Sequence, residues 1–199
     1  MPMLFDFLHL LLSLPVSLLG GALLLRVYAQ RIKLHPHNPL SQFLFKLTDW
    51  LVKPLRRLIP GVGGVDWASL CGAWALAVCL LAVLALLRSI LAGSGLALFP
   101  SPLNLALLGL LKIAQWGIST ALLFVFVAAL MSWFQLQSPL AYVIRELVAP
   151  LLRPIQRRLP TNGMGLDMSP MVLVFILLIV QHGCMLGELY LTPIGTIVR

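Results

Sequence analysis

Residues 67–87 read WASLCGAWALAVCLLAVLALL, from Trp67 to Leu87, without a charged side chain in 21 residues. About 20 apolar residues in a helix cross the hydrocarbon core of a bilayer. This stretch therefore predicts a membrane-spanning helix. Working outward, three more apolar runs have the same character: about 4–27, 110–136 (its apolar approach begins near Leu105) and 168–190. Only 10% of the 199 residues are charged, and 60% are hydrophobic. Soluble domains carry roughly 25% charged residues. So few charges cannot cover a water-facing surface, and lipid must be the solvent for most of this chain.

The first run carries Asp6 where a secretory signal would carry basic residues, so it reads as a retained helix. The net charge is +8. In so apolar a chain this excess points to topology and anionic headgroups rather than to direct binding of nucleic acid. Of 14 Lys and Arg residues, 11 lie in or beside segments 28–66 and 137–167. The positive-inside rule puts those two segments in the cytoplasm and both termini in the periplasm of a bacterial inner membrane. Cys71, Cys79 and Cys184 all fall in apolar runs. Cys71 and Cys79 would stand roughly 12 Å apart along one helix, too far to bridge.

The chain also repeats itself. Pro39, Leu40, Leu47, Leu51, Pro54, Arg57 and Pro60 recur 100 residues later as Pro139, Leu140, Leu147, Leu151, Pro154, Arg157 and Pro160. Chance gives about one or two identities over such a window. After one inserted residue, Asp66 aligns with Asp167. The expected architecture is an all-α membrane protein of two parallel units, 1–95 and 96–199. Each unit holds a spanning helix, a basic segment and a second spanning helix. Together they would form a compact four-helix bundle.

The basic segments have helical periodicity of their own. Leu40, Phe43, Leu44, Leu47, Leu51, Leu55 and Leu58 recur at helical spacing in the first, and Leu140, Val143, Ile144, Leu147, Leu151 and Ile155 in the second. This predicts amphipathic helices lying in the membrane interface. Pro54 and Pro154 are expected to interrupt them and start second, short helices.

The residues His37-Asn38-Pro39, Leu47-Thr48-Asp49, Pro54-Leu55-Arg56-Arg57-Leu58-Ile59-Pro60 and Gly63-Gly64-Val65-Asp66 resemble the signature of the YGGT family. So do Pro154–Pro160 and Gly165–Pro170 in the second unit. The first unit departs from the pattern at Trp50 and at Ala68-Ser69-Leu70. The second has Val148-Ala149 in place of Thr48-Asp49, so any role of that polar pair rests on the first unit. The resemblance implies a small inner-membrane protein linked to osmotic tolerance and potassium supply, or to cell division and nucleoid distribution. Plastid relatives imply haem attachment. It carries over no catalytic residue.

The candidate positions are Arg56, Arg57, Asp66, Arg157, Arg158 and Asp167, with Pro54, Pro60, Pro154 and Pro160 shaping the hairpins. Asp66 and Asp167 stand where carboxylates cap helices. Arg57 and Arg157 either reach to headgroups or pair with those carboxylates, and a ligand or ion site is the third alternative. Arg56, Arg57, Arg157 and Arg158 form a basic surface suited to anionic lipid or an acidic partner. His35 and His37 are too few to hold a metal alone, while His9 and His182 could ligate haem if brought together. Ser13, Ser17 and Gly21, and Gly183 and Gly187, are small residues at close-packing spacing. Lys112 is expected to extend to headgroups.

No catalytic motif is visible, and no cofactor is expected. The leading expectation is a non-enzymatic accessory factor organising lipid or a partner complex at the cytoplasmic leaflet, with effects on osmotic adaptation. A small channel or potassium-uptake component, as a homo-oligomer, is the alternative. An assembly factor for membrane cytochromes, or for division and nucleoid organisation, is the third. The spanning runs lack central ionisable groups of the kind that mark ion relays, which favours the accessory class.

Overall fold

The computed structural model describes residues 2–34, 39–59, 61, 64–93, 99–134, 138–158 and 169–191. Those residues form six helices: α1 (Pro2–Arg31), α2 (Pro39–Leu58), α3 (Trp67–Ala92), α4 (Pro102–Trp133), α5 (Pro139–Gln156) and α6 (Ser169–Leu191). No β-strand occurs among them. Four helices, α1, α3, α4 and α6, are long and apolar enough to cross a membrane. At about 1.5 Å per residue, even the 23-residue α6 is roughly 34 Å long, enough to span the hydrocarbon core. Large apolar side chains such as Leu18, Ile90, Phe126 and Phe175 are exposed along these helices, as lipid contact requires.

Helix ends follow local chemistry. Asp66 caps α3, while Ser101 and Ser138 cap α4 and α5 by accepting the amides of Asn104 and Ala141, with proline following each serine. The end of α1 is unusual. The Leu34 amide donates to the Ala29 carbonyl and the Lys33 amide to the Gln30 carbonyl, a paired closure that places Lys33 at φ 55°. Glycine is the usual residue there. A side chain in the left-handed region costs about 1–2 kcal/mol. Leu34 returns onto Ala29 in one buried cluster, which helps hold the turn.

Each unit packs internally, α1 on α3 and α4 on α6, with α2 and α5 seated across their ends. The units meet through α1–α4 and α3–α4. Among the described residues, α6 makes no comparable contact with α1. The helices thus do not close into the compact bundle expected. α4 is the shared member, and α6 stands at the edge with Ser169 and Leu173 as its buried side chains.

Glycines set the seam between units. A Cβ on Gly20 would fall 2.1 Å from the Trp116 ring, and one on Gly21 would fall 2.7 Å from the Thr120 hydroxyl. A Cβ on Gly109 would likewise fall 2.7 Å from Val78 of α3. Hydrogen bonds also cross the seam: Tyr28 Oη donates to the Leu147 carbonyl at 2.8 Å, and Trp74 Nε1 to the Ala106 carbonyl at 3.2 Å. Gly21 therefore serves packing inside the chain. Gly187 rests against Leu111 of α4, and Gly183 faces open space.

The prolines correct a second expectation. α2 continues through Pro54, and α5 through Pro150 and Pro154. Proline removes one amide donor and crowds the carbonyl four residues back. Pro54 and Pro154 lie within the last turns and are exposed, so few helical bonds are at stake. Pro60, Pro160 and Asp167 lie outside the described residues, as do His35 and His37.

Candidate functional site

The polar centre of the first unit lies where α1 ends, α2 crosses and α3 begins. Arg26 is one turn from the end of α1, and its side chain is 4% exposed. One of its terminal nitrogens donates to Thr48 Oγ1 at 2.7 Å and to Asp49 Oδ1 at 2.8 Å. Thr48 in turn donates to the Leu44 carbonyl at 2.6 Å. Arg26 Nε lies 3.5 Å from Asp66 Oδ2 but makes no hydrogen bond among the described residues. The guanidinium carbon sits 4.7 Å from the centre of the Phe45 ring, a cation–π arrangement.

Asp66, 1% exposed, is the second anchor. It accepts from the Ser69 amide at 3.4 Å and the Ser69 hydroxyl at 2.8 Å, which caps α3. Arg56 binds it with two nitrogens, Nε at 3.3 Å from Oδ1 and a terminal nitrogen on Oδ2. Asp49, between Arg26 and Lys53, is held at 3.1 Å by the exposed Lys53 ammonium. Cap and ion pair are thus combined in one carboxylate.

Electrostatics follow from this geometry. Burial alone would raise the Asp66 carboxyl. Hydrogen bonds from Arg56 and Ser69, with the Arg56 charge, outweigh it and hold the group below the ordinary carboxylate range. Asp49 is likewise lowered, burial being overcome by Arg26 and Lys53. The Asp66 hydrogen bond raises Arg56.

Arg57, for which pairing with Asp66 was one of the alternatives, is exposed, and the contact belongs to Arg56. Helix register explains the exchange. Val52 is buried and Leu55 packs with it against α3. Residue 56 lies one turn beyond Val52 on that side, and residue 57 follows the exposed Lys53. Arg26 was counted among the loop charges by sequence reasoning, yet it is buried in the site. The available signal was its position, with Val27 and Tyr28 still helical beyond it.

The second unit is built differently. At the offset of 100, positions 126, 148, 149 and 156 hold Phe126, Val148, Ala149 and Gln156 in place of Arg26, Thr48, Asp49 and Arg56. Val148 packs in an apolar cluster with Val125, Ile144 and Leu173. Arg157 and Arg158 are exposed at the end of α5. Lys112, expected at the headgroups, lies 3.8 Å from Glu188 of α6, both side chains being partly buried. His9 and His182 are exposed on α1 and α6, helices without close mutual packing. Among the described residues, no three His, Cys, Asp or Glu side chains gather as metal ligands.

A cavity of about 450 Å³ adjoins the polar centre. Arg26, Lys33 and Arg56 line it together with Ser41 and Gln30, against apolar walls that include Leu44 and Phe45.

These features define a class: an all-α membrane protein of two tandem units, with a buried arginine–aspartate centre in the first. The sequence profile of the CCB3/YggT family matches residues 5–91 and 107–187, and the chain belongs to that family. It is 40% identical over 174 residues to "Uncharacterized protein YggT" of Escherichia coli strain K12, covering 87% of this chain and 86% of that one. An "Uncharacterized protein" of Haemophilus influenzae is 35% identical over 170 residues, covering 84% of this chain and 85% of that one. "Uncharacterized protein in proC 3'region" of Vibrio alginolyticus is 39% identical over 152 residues, covering 75% and 78%. No solved structure matches the chain.

Proposed function

We propose that this chain is a non-enzymatic accessory protein of the bacterial inner membrane. It organises anionic lipid, or a partner complex, at the cytoplasmic leaflet during osmotic adaptation. One observation carries the reading: α2 presents three faces. Its inner face buries Ser41, Leu44, Thr48 and Val52. A second face exposes Phe43, Leu47, Trp50 and Leu58. Between them, Lys46, Lys53 and Arg57 are exposed. An amphipathic helix of this kind lies flat in the interface, with aromatic and aliphatic groups among the acyl chains and cations at the headgroups. Each such cation near an anionic leaflet contributes about 1 kcal/mol. The concentration of Lys and Arg in segments 28–66 and 137–167 supports a cytoplasmic side for α2 and α5.

The test has two arms. A bacterial strain deleted for its own copy is challenged by osmotic upshift and complemented with this chain. Purified protein is separately reconstituted in potassium-loaded liposomes. Restored growth without potassium release supports the accessory reading. Rapid potassium release makes the protein a channel and overturns it.

A further inference from the structure

We propose that the cavity between the end of α1 and α2 is a specific site for the phosphate group of an anionic membrane lipid. This deepens the proposed function and rests on it. The cavity volume, about 450 Å³, falls within the range of small-molecule sites and accommodates a phosphodiester headgroup. Three cations, Arg26, Lys33 and Arg56, reach it from two helices and the turn between them. Among the described residues no carboxylate lines it. Asp49 and Asp66 orient the two arginines without sharing the lining. Arg26, Lys53 and Arg56 pair with the two carboxylates, and Lys33 adds a further cation to the cavity lining. Guanidinium groups fixed in this way suit phosphate oxygens, because their donors are planar and already oriented.

Two further observations point to a ligand. Arg26 is nine-tenths buried, and its Nε–H, 3.5 Å from Asp66 Oδ2, completes no hydrogen bond among the described residues. A buried donor of this kind is costly to leave unmet. Lys33 occupies a left-handed position that glycine would hold without strain. Strain of this sort gathers where a ligand is clamped. Ser41, buried in the same lining, adds a hydroxyl donor. The site sits where the spanning part of α1 gives way to α2, whose Phe43 and Trp50 are exposed. A phosphate at that depth is the phosphate of a lipid whose chains run down the outside of α1.

The full-length protein, stripped of lipid in mild detergent, is titrated with phosphatidylglycerol, phosphatidylcholine and inorganic phosphate. Binding is read by native mass spectrometry and by thermal stability. The wild-type chain should hold one phosphatidylglycerol at least about tenfold more tightly than phosphatidylcholine. Lys33→Gly removes one cation and relieves the turn. It should be at least as stable as wild type without lipid, yet bind phosphatidylglycerol about tenfold more weakly. Arg145→Gln, exposed on α5 and outside the cavity, should bind like wild type. Wild-type affinity in Lys33→Gly overturns the site. Inorganic phosphate binding with no preference for phosphatidylglycerol overturns the lipid assignment. Failure here is distinguishable from failure of the proposed function. A chain that restores growth but ignores phosphatidylglycerol loses only the site. One that binds phosphatidylglycerol through Lys33 but conducts potassium keeps the site and loses the accessory role.

Discussion

Arg26 and Asp66 are buried charges that compensate each other, and each is held by further hydrogen bonds. Removing one partner of such a buried pair leaves an unbalanced charge and costs about 3–5 kcal/mol. Asp66→Ala also removes the α3 cap. It should lower stability by at least that range, measured by thermal or denaturant unfolding in detergent. Arg57→Gln should change stability by less than about 0.5 kcal/mol, because its exposed side chain lies off the buried centre. The pH dependence has a definite sign. Asp49 and Asp66 are lowered in the folded state. Their stabilisation is complete above the ordinary carboxylate value of about 4 and is lost as pH falls from there through the depressed folded values. Melting temperatures followed from pH 7 to pH 3 should be flat to about pH 4 and then fall. The drop should be smaller in Asp66→Ala. Adjacent arginines hid the pairing at the sequence level. Choosing between Arg56 and Arg57 needs the register of α2 against α3, which the buried Val52 sets. Lys112 and Glu188 meet between α4 and α6, and no local pattern joins residues so distant in sequence.

At the scale of elements, the four spanning helices were legible because their runs are long, apolar and free of central charge. Their ends were less so. α1 continues to Arg31 and α3 to Ala92, beyond the apolar runs, because basic side chains are compatible with a helix emerging from lipid. The proline breaks were misread because proline in a last helical turn removes few bonds. Glycine spacing did carry packing information. The seam between α1 and α4 depends on Gly20 lying against the buried Trp116. Gly20→Ala should cost about 1–3 kcal/mol through overpacking, read by unfolding in detergent. Ala at Gly183, which faces open space, should be tolerated.

At the scale of the molecule, two homologous units have taken different interiors. The first holds a charged centre, and the second surrounds Val148 at the corresponding place with apolar side chains. The repeat itself was visible in sequence, and Val148-Ala149 against Thr48-Asp49 announced the asymmetry. The edge position of α6 was not visible, because apolar helices facing lipid and helices facing one another have similar composition. The orientation proposed from the basic segments predicts periplasmic termini. Alkaline phosphatase fused to the C-terminus should be active, and a fluorescent protein fused there and exported by the general secretory route should be dark. The reverse pattern contradicts that orientation.

We propose that the charged centre beneath α2 takes part in the function proposed for that helix. The most direct test is growth after osmotic upshift of a deletion strain carrying the triple variant Thr48→Val, Asp49→Ala, Arg56→Gln. These residues are the ones the second unit carries at the matching positions. Arg26 still faces Asp66 in this variant, so a compensated pair remains to support folding. Wild-type amounts of protein in the membrane with no rescue of growth are the expected result. Full rescue by the triple variant would contradict the proposal and leave the centre a structural clasp.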